Sequence, residues 1–353
     1  YRPSRYGALN AFMVQPEDPT GILTEELKQK ARTSIGNTLE TPVIDYDADI
    51  TIGKTRSLTI ADSENTSKMV QITFATYAWG FTIAPAMYMN NEIGIQKDFE
   101  TKMMKYIYAF AKKLDEAALA TLATDKTQIL KNKLLYDFSS SVVNAKWTER
   151  ENVFGDLEVM MGANDFYGQL HIIGDPGVES IMRKLQQHGL YNDVNKQNEF
   201  GTKIVHLTNN IAATSGKYAQ GYAVNAGSLG MLTRFERDCL LGSVSGDGHE
   251  WGIATLPMLN MPVGTYFYDS VGDYNAIAGT ATEDMTRTRK EHYGFAVDLA
   301  FLTAHNSARN TLARPILAFN VSSEDAVYAK PVVVVNSKNN PVNTKEASAG
   351  VGG

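Results

Sequence analysis

Six histidines and one cysteine are the residues of this chain best suited to metal binding or nucleophilic catalysis. No two histidines stand three or four residues apart, the spacing that would place two metal ligands on one helix face. The single cysteine, Cys239, excludes an internal disulfide and a multi-cysteine zinc site. The tightest cluster of acids with a histidine is Asp247-Gly248-His249-Glu250, for which an ordinary surface turn is the simpler interpretation. We therefore predict no catalytic residue, no metal site and no cofactor.

Short motifs for calcium and nucleotide binding fail at required positions. The acidic run over 45–49 begins like a calcium loop, but Ile50 stands where the turn glycine is needed and Arg56 where the closing glutamate is needed. Gly216-Lys217 lacks the earlier glycine and the following Ser or Thr of a phosphate-binding loop. These failures favour a protein that acts without catalysis. An enzyme or ligand-binding site around residues 216–252 is the alternative.

Composition and charge indicate an ordinary globular chain. Its 353 residues include 33 Lys or Arg and 39 Asp or Glu, so the formal net charge is −6. A general nucleic-acid binder is normally basic, and this chain is not. The uncharged stretches 69–91 and 251–268 contain too many polar residues, prolines and glycines for a membrane-spanning helix. With one cysteine and no signal-peptide pattern, the sequence favours a protein made in a reducing cytoplasm.

The N-terminal part is predicted to form an extended arm followed by a long β-hairpin. Residues 1–48 show no sustained periodicity beyond one short helix over 24–33, with Thr24 as its N-cap. From residue 49 the period changes to two, and strands over 50–60 and 70–75 flank a polar tip over 62–68. An isolated hairpin is marginal in water, so this one must lie on a sheet of its own chain or on a neighbouring subunit. If the hairpin lies on a neighbouring subunit, the residues expected to contact that subunit are Ile52, Lys54, Arg56, Leu58, Ile60 and Lys68.

The strongest helical pattern of the sequence runs over residues 96–124. Apolar residues recur there at intervals of three and four, and Asp98 stands four residues before Lys102 on the exposed side. A helix of this length extends over about 40 Å and can serve as the backbone of a domain. Its predicted core residues are Phe99, Met103, Ile107, Phe110 and Leu114.

The middle of the chain is rich in glycine, which predicts an α/β region with many loops. It begins with a strand over 170–173, an N-cap at Asp175 and a proline at the first helical position, and Gly189 is expected to end this helix. A charged hinge is predicted over 283–291 and a return strand over 293–301. The four valines that follow later in the chain predict a last strand over 332–335.

This order of elements resembles that of the major capsid proteins of tailed double-stranded DNA bacteriophages, the HK97-fold family. The resemblance rests on residues 50–81 for the hairpin (the E-loop), 98–122 for the long helix (the spine helix) and 293–319 for the return strand. It implies an α+β, HK97-like capsid fold with an N-terminal arm, an E-loop, a peripheral domain containing the spine helix, and an axial α/β domain. The implied boundaries are 1–48 for the arm, 49–82 for the E-loop, 83–165 and 291–335 for the peripheral domain, 166–290 for the axial domain and 336–353 for a polar tail.

The resemblance implies a structural protein rather than an enzyme. Its copies would self-assemble into pentamers and hexamers of an icosahedral head that encloses DNA without sequence-specific binding. Portal, scaffolding and decoration proteins would be further partners, no membrane would be involved, and the protein would reside in the virion capsid after assembly in the host cytoplasm. An encapsulin-like nanocompartment shell is the alternative with the same fold. A cytosolic α/β enzyme or ligand-binding protein is the alternative from another class.

Overall fold

The chain divides into two compact units. Unit 1 contains Tyr1–Asp125 and Ala226–Arg314, and unit 2 contains Lys126–Asn225 and Pro315–Gly353. The predicted domain limits at 166 and 290 do not coincide with these boundaries, and the division into named capsid domains stays a prediction. The computed structural model describes residues 6–14, 22–34, 36–45, 66–88, 94–190, 203–235, 237–243, 248–257, 259–273, 287–304, 313–323, 333–335 and 341–343.

Helices and strands are mixed along the chain, which confirms the predicted α+β class. The helices are α1 (Gly7–Val14), α2 (Glu25–Thr33), α3 (Ile95–Asp125), α4 (Val153–Ala163), α5 (Pro176–Leu190) and α6 (Arg237–Leu241). The strands are β1 (Thr38–Asp45), β2 (Thr66–Thr73), β3 (Ala75–Ile83), β4 (Asp137–Ser139), β5 (Val142–Ala145), β6 (Leu170–Gly174), β7 (Ile204–Leu207), β8 (Lys217–Asn225), β9 (Leu229–Arg234), β10 (His249–Leu256), β11 (Met261–Asp273), β12 (Arg287–Thr303), β13 (Ile316–Ser322), β14 (Val333–Val335) and β15 (Pro341–Asn343).

The main sheet of unit 1 is antiparallel and has β12 at its centre. The strand order is β10-β11-β12-β3, and β9 pairs with a further part of β12. The predicted return strand is thus confirmed and is longer than expected. The predicted charged hinge over 283–291 is wrong from Arg287 onward, because Arg287 pairs with Asp273 and Glu291 pairs with Ile83. Backbone pairing with β11 holds residues 287–290 in the sheet, and Glu291 pairs with both β11 and β3.

The long helix α3 packs against the main sheet and confirms the helix predicted over 96–124. Of its predicted core residues, Ile107, Phe110 and Leu114 are buried, whereas Phe99 and Met103 are partly buried at the edge of the same cluster. The predicted pair of Asp98 and Lys102 forms a salt bridge of 2.8 Å. Hydrogen bonds from Lys102 and Tyr88 hold the pKa of Asp98 below its usual range.

The N-terminal region contains more structure than the predicted arm. Helix α2 is confirmed, and the Thr24 hydroxyl accepts a hydrogen bond of 3.2 Å from the Leu27 amide as its N-cap. The first described residues, however, form helix α1, which contacts α3. The buried Asp115 carboxylate of α3 accepts a hydrogen bond of 2.9 Å from the amide of Leu9. Burial of Leu9 and Phe12, and not an amphipathic pattern, explains why α1 forms here.

Unit 2 is built on a six-stranded mixed sheet in the order β4-β5-β13-β8-β6-β7. The predicted step from strand to helix is confirmed, because Asp175 Oδ1 accepts a hydrogen bond of 2.9 Å from the Val178 amide at the start of α5. Helix α5 continues through Gly189 and ends one residue later. The predicted last strand is β14, and it pairs with β15, so the predicted polar tail contains a strand.

Candidate assembly surfaces

The predicted hairpin has a counterpart in a two-stranded ladder. Its second strand, predicted over 70–75, overlaps β2, and its first strand, predicted over 50–60, lies outside the described residues. Strands β1 and β2 pair from Thr38 opposite Thr73 to Asp45 opposite Thr66. The strand that pairs with β2 comes from the end of the predicted arm, and residues 66–68 of the predicted tip belong to the ladder. Of the predicted contact residues, Lys68 lies in β2, and Ile52, Lys54, Arg56, Leu58 and Ile60 lie outside the described residues.

The base of this ladder is anchored within unit 1. Leu39 of β1 lies opposite Ile72 of β2, and both are buried in a cluster that also contains Phe74 and residues of α2 and β9. This inward pair explains the observed register, because a slip of one strand by one residue would turn its apolar side chain to the opposite face of the ladder. Farther along the ladder, Met69 is 57% exposed. Met69 therefore lies at the surface, three residues from the buried Ile72.

A buried arginine joins the ladder base to the main sheet. Arg234, at the end of β9, donates to Asp298 Oδ2 from Nη2 at 2.9 Å and from Nε at 3.3 Å. Its guanidinium also donates to the Ser34 hydroxyl and to the Gly36 carbonyl, and it lies 4.7 Å from the centroid of the Phe74 ring. The end of α2, the ladder base and the main sheet therefore share one charged centre. No local pattern in the sequence points to it.

A groove of about 750 Å³ lies beside this arginine within unit 1. Arg32 and Arg234 supply positive charge to its lining, and Leu240 and Leu241 of α6 supply apolar surface. The two leucines are 51% and 72% exposed. Asp298, the partner of Arg234, also lines the groove, so the charge of Arg234 is balanced within unit 1.

Among the described residues, three strands of the main sheet of unit 1 have only one partner strand each, and these are β10, β3 and β9. Strand β3 contains nine residues without a charge or a proline. At the β10 edge, the Ser243 hydroxyl accepts a hydrogen bond of 3.1 Å from the Trp251 amide and donates one of 3.3 Å to the Trp251 carbonyl. The edge-facing backbone groups of Trp251 are therefore already hydrogen-bonded. An uncharged edge strand is a template to which another chain can add a strand.

Unit 2 brings together two histidines that sequence spacing does not relate. His171 in β6 and His206 in β7 lie on neighbouring parallel strands, with stacked rings and 3.1 Å between His171 Nδ1 and His206 Nε2. Both are buried. Burial, and to a lesser extent the charge of His171, lowers the pKa of His206 to about 4. This value is far from the neutral range in which a histidine acts efficiently as a general base.

The predicted surface turn around His249 is in part a strand. His249 begins β10, its ring stacks on Tyr266, and its Nδ1 lies 2.6 Å from the Tyr266 hydroxyl. Asp247 of the same predicted cluster lies outside the described residues. Among the described residues, no three His, Cys, Asp or Glu side chains are grouped so that they could hold a metal ion. The described helices also include none that is long and apolar enough to span a membrane.

Solved structures of phage capsids are similar to this chain over most of its length. The asymmetric unit of the mature capsid of bacteriophage PhiM1 is similar over 86% of this chain and 90% of that chain, at 10% identity and a TM-score of 0.47. The capsid of Ralstonia phage GP4 matches over 84% and 86%, at 9% identity and a TM-score of 0.45. The capsid structure of the cyanophage P-SCSP1u matches over 82% and 85%, at 12% identity and a TM-score of 0.43. No family model and no curated protein matches the sequence.

Proposed function

We propose that this chain is the major capsid protein of a tailed double-stranded DNA bacteriophage, which acts by self-assembly and not by catalysis. Its copies form pentamers and hexamers of an icosahedral head. The observation that carries this proposal is the ladder of β1 and β2, which no third strand extends among the described residues. A two-stranded ladder is marginal in water, so its outer part requires cover from another chain.

Three further features of unit 1 support assembly with other copies. The uncharged edge strand β3 can accept an added strand. The groove beside Arg234 combines exposed leucines with arginines, and Met69 places exposed apolar surface on the ladder itself. A subunit of a closed shell contacts several neighbours at once, whereas a monomeric enzyme would leave all these surfaces without a role.

The proposed head encloses DNA without sequence-specific contacts. The formal net charge of −6 supports this, because attachment to DNA phosphates depends mainly on Lys and Arg. Portal, scaffolding and decoration proteins are the other proposed partners. The proposed location is the virion capsid, after assembly in the host cytoplasm. These partners and this location follow from the resemblance in element order.

The particle size of the purified full-length chain tests the proposal. We expect light scattering and negative-stain microscopy to detect closed shells tens of nanometres across. A chain that stays monomeric over a range of salt and pH would overturn the proposal. Shells that copurify with a cargo enzyme instead of DNA would indicate the nanocompartment alternative.

Acidic substitutions on the hairpin should block assembly and spare folding. The variants are Met69→Asp and the double change Ile52→Asp with Leu58→Asp, because each places charge where we expect a neighbour's apolar surface. Sedimentation velocity measures assembly, and circular dichroism measures folding. Ala212→Asp, at an exposed position of unit 2, is the control and should assemble like the wild type. Normal shells from both hairpin variants would contradict the assignment of this interface.

A further inference from the structure

The outward side of helix α3 carries positive charge and no acid. Positions 97, 101, 105, 108 and 112 follow one another at intervals of three or four residues, so they line one side of the helix. All five positions are exposed, and together they extend over about 22 Å at about 1.5 Å per residue. This line of residues, here termed the α3 stripe, consists of Lys97, Thr101, Lys105, Tyr108 and Lys112.

The three aspartates of α3 are engaged by other groups of unit 1. Asp98 forms the salt bridge of 2.8 Å with Lys102 described above. Asp115 is buried and accepts a hydrogen bond from an amide of α1. Asp125, the last residue of the helix, lies 2.5 Å from the guanidinium of Arg314. None of the three is left to neutralise the stripe.

The two glutamates of α3 flank the stripe and also have other partners. The Glu100 carboxylate accepts a hydrogen bond of 3.1 Å from the side-chain amide of Gln96. The Glu116 carboxylate lies 2.8 Å from the ammonium of Lys113 but 3.9 Å from that of Lys112. The other two lysines of the stripe form no ion pair with a described residue.

The elements beside α3 add no charge to its outward side. Helix α1 contacts α3 and contains eight residues without a charge. The Tyr6 hydroxyl donates a hydrogen bond of 3.3 Å to the Tyr108 carbonyl, so the chain at the start of α1 lies next to the stripe. Strand β3 also contacts α3 and is uncharged. Strand β12 packs against the buried side of the helix, opposite to the stripe.

This segregation of charge contrasts with the composition of unit 1. Unit 1 contains 20 Lys or Arg and 26 Asp or Glu, whereas unit 2 contains 13 of each, so the excess acidity of the chain lies in unit 1. A solvated surface normally intersperses charges of both signs. A line of lysines without an acid, on the acidic unit, is a local reversal of charge that attracts an anionic partner.

We propose that the α3 stripe contacts the phosphate backbone of the DNA that the shell encloses. This inference rests on the proposed shell function and deepens it by assigning the DNA contact to one side of one helix. Lysine binds phosphate as a point charge, and the stripe contains no Arg, Asn or Gln that could pair with a base edge. The Thr101 hydroxyl is already used, because it donates to the Lys97 carbonyl at 2.7 Å. The contact is therefore weak, independent of base sequence and released by salt.

The lack of apolar surface on the stripe favours DNA over an acidic protein. Protein interfaces have a buried core of apolar and aromatic side chains, and the stripe offers only Tyr108, which is 36% exposed. Contact with a duplex backbone requires only cations along a line, since DNA carries one charge per about 1.7 Å of its axis. Three lysines spread over about 22 Å can therefore each reach a phosphate.

The salt dependence of DNA binding by the full-length, dissociated chain tests the stripe. Fluorescence anisotropy measures binding to a labelled duplex of about 30 base pairs, and the variant replaces the three stripe lysines with glutamine. We expect an affinity at least about tenfold lower at about 0.1 M salt, and a slope of log affinity against log salt that is smaller by about 2–3, since each contact contributes about 0.9. Glutamine keeps the helix propensity of lysine, so the melting temperature should stay close to that of the wild type.

The matched control makes the same charge change in unit 2, at the exposed Lys131, Lys133 and Lys146. Equal losses of affinity in the two triple variants would overturn the inference, as would a wild-type chain that does not bind the duplex at about 20 mM salt. Tighter binding of polyglutamate than of the duplex at equal salt would overturn it in favour of an acidic protein. Equal affinity for two duplexes of unrelated sequence is the expected result for a backbone contact.

Acetylation of lysines in assembled particles locates the contact. Mass spectrometry compares shells that contain DNA with shells emptied of DNA. We expect Lys97 and Lys105 to react at least about threefold more slowly in the filled shells, and Lys131, whose side chain is 58% exposed, to react equally in both. Equal rates at the stripe in filled and empty shells would overturn this inference and leave the shell function intact. A wild-type chain that never assembles would overturn the shell function, and the duplex titration would still decide whether the stripe binds DNA.

Discussion

Removal of the Arg234 guanidinium should destabilise unit 1 by about 3 kcal/mol. Arg234→Met keeps most of the apolar stem but leaves the Asp298 carboxylate, whose side chain is 18% exposed, without its cation. Loss of one partner of a buried ion pair costs about 3–5 kcal/mol. We expect the lower value because the Thr76 hydroxyl still donates to Asp298 at 2.7 Å. Since each kcal/mol lowers the melting temperature of a unit of this size by about 2–4 °C, the expected decrease is about 6–12 °C.

Thermal melting of the dissociated chain, followed by circular dichroism and calorimetry, measures this decrease. Arg32→Met is the matched control, because it makes the same change at an exposed arginine of the same groove and should shift the melting temperature by less than about 2 °C. The double variant Arg234→Met with Asp298→Asn should recover part of the loss, since no uncompensated charge remains. If Arg234→Met melts like the Arg32→Met control, the buried centre does not anchor the ladder base as we argue.

Two further predictions concern unit 2. A Cβ at Gly177 would lie 2.0 Å from the Tyr218 carbonyl oxygen, so Gly177→Ala should lower the free energy of unfolding by about 2 kcal/mol, whereas Gly162→Ala should change it by no more than about 1 kcal/mol. Urea titration compares the two variants, and equal effects would contradict the close packing of α5 on β8. The pKa of His206, about 4, lies below its unfolded value of about 6.5, so protonation favours unfolding. The contribution of neutral His206 to the free energy of unfolding is complete above pH 6.5 and decreases toward pH 4, by up to about 3 kcal/mol. His206→Gln should therefore flatten this part of the plot of unfolding free energy against pH. Identical profiles for wild type and variant between pH 7.5 and 4.5 would refute the assignment.

Elements with strong local patterns could be predicted from the sequence. Helix α3 was predicted to within one residue at each end, because a long periodic apolar stripe specifies both the helix and its buried face. Helix α2 followed from the Thr24 cap and from acidic and basic residues at opposite ends. Helix α5 followed from Asp175 and the proline after it. In each case the determining interactions lie within a few residues of one another.

Helix α1 and strand β1 could not be predicted in the same way. Eight uncharged residues do not form a stable helix in isolation, and α1 depends on burial against α3 and on the carboxylate of Asp115. The register of β1 depends on Leu39 meeting Ile72, a contact between strands that alternation within one strand does not indicate.

The sequence by itself determined the α+β class, the long helix, the step from β6 to α5 and the order of elements that resembles a capsid protein. It also determined the net charge of −6, which disfavours general binding to nucleic acid. Only the tertiary structure decided which distant side chains meet. Arg234 and Asp298 are 64 residues apart, and His171 and His206 are 35 residues apart. Their contacts depend on strand pairing and packing across the sheets, whereas local periodicity reports only which face of one element is apolar.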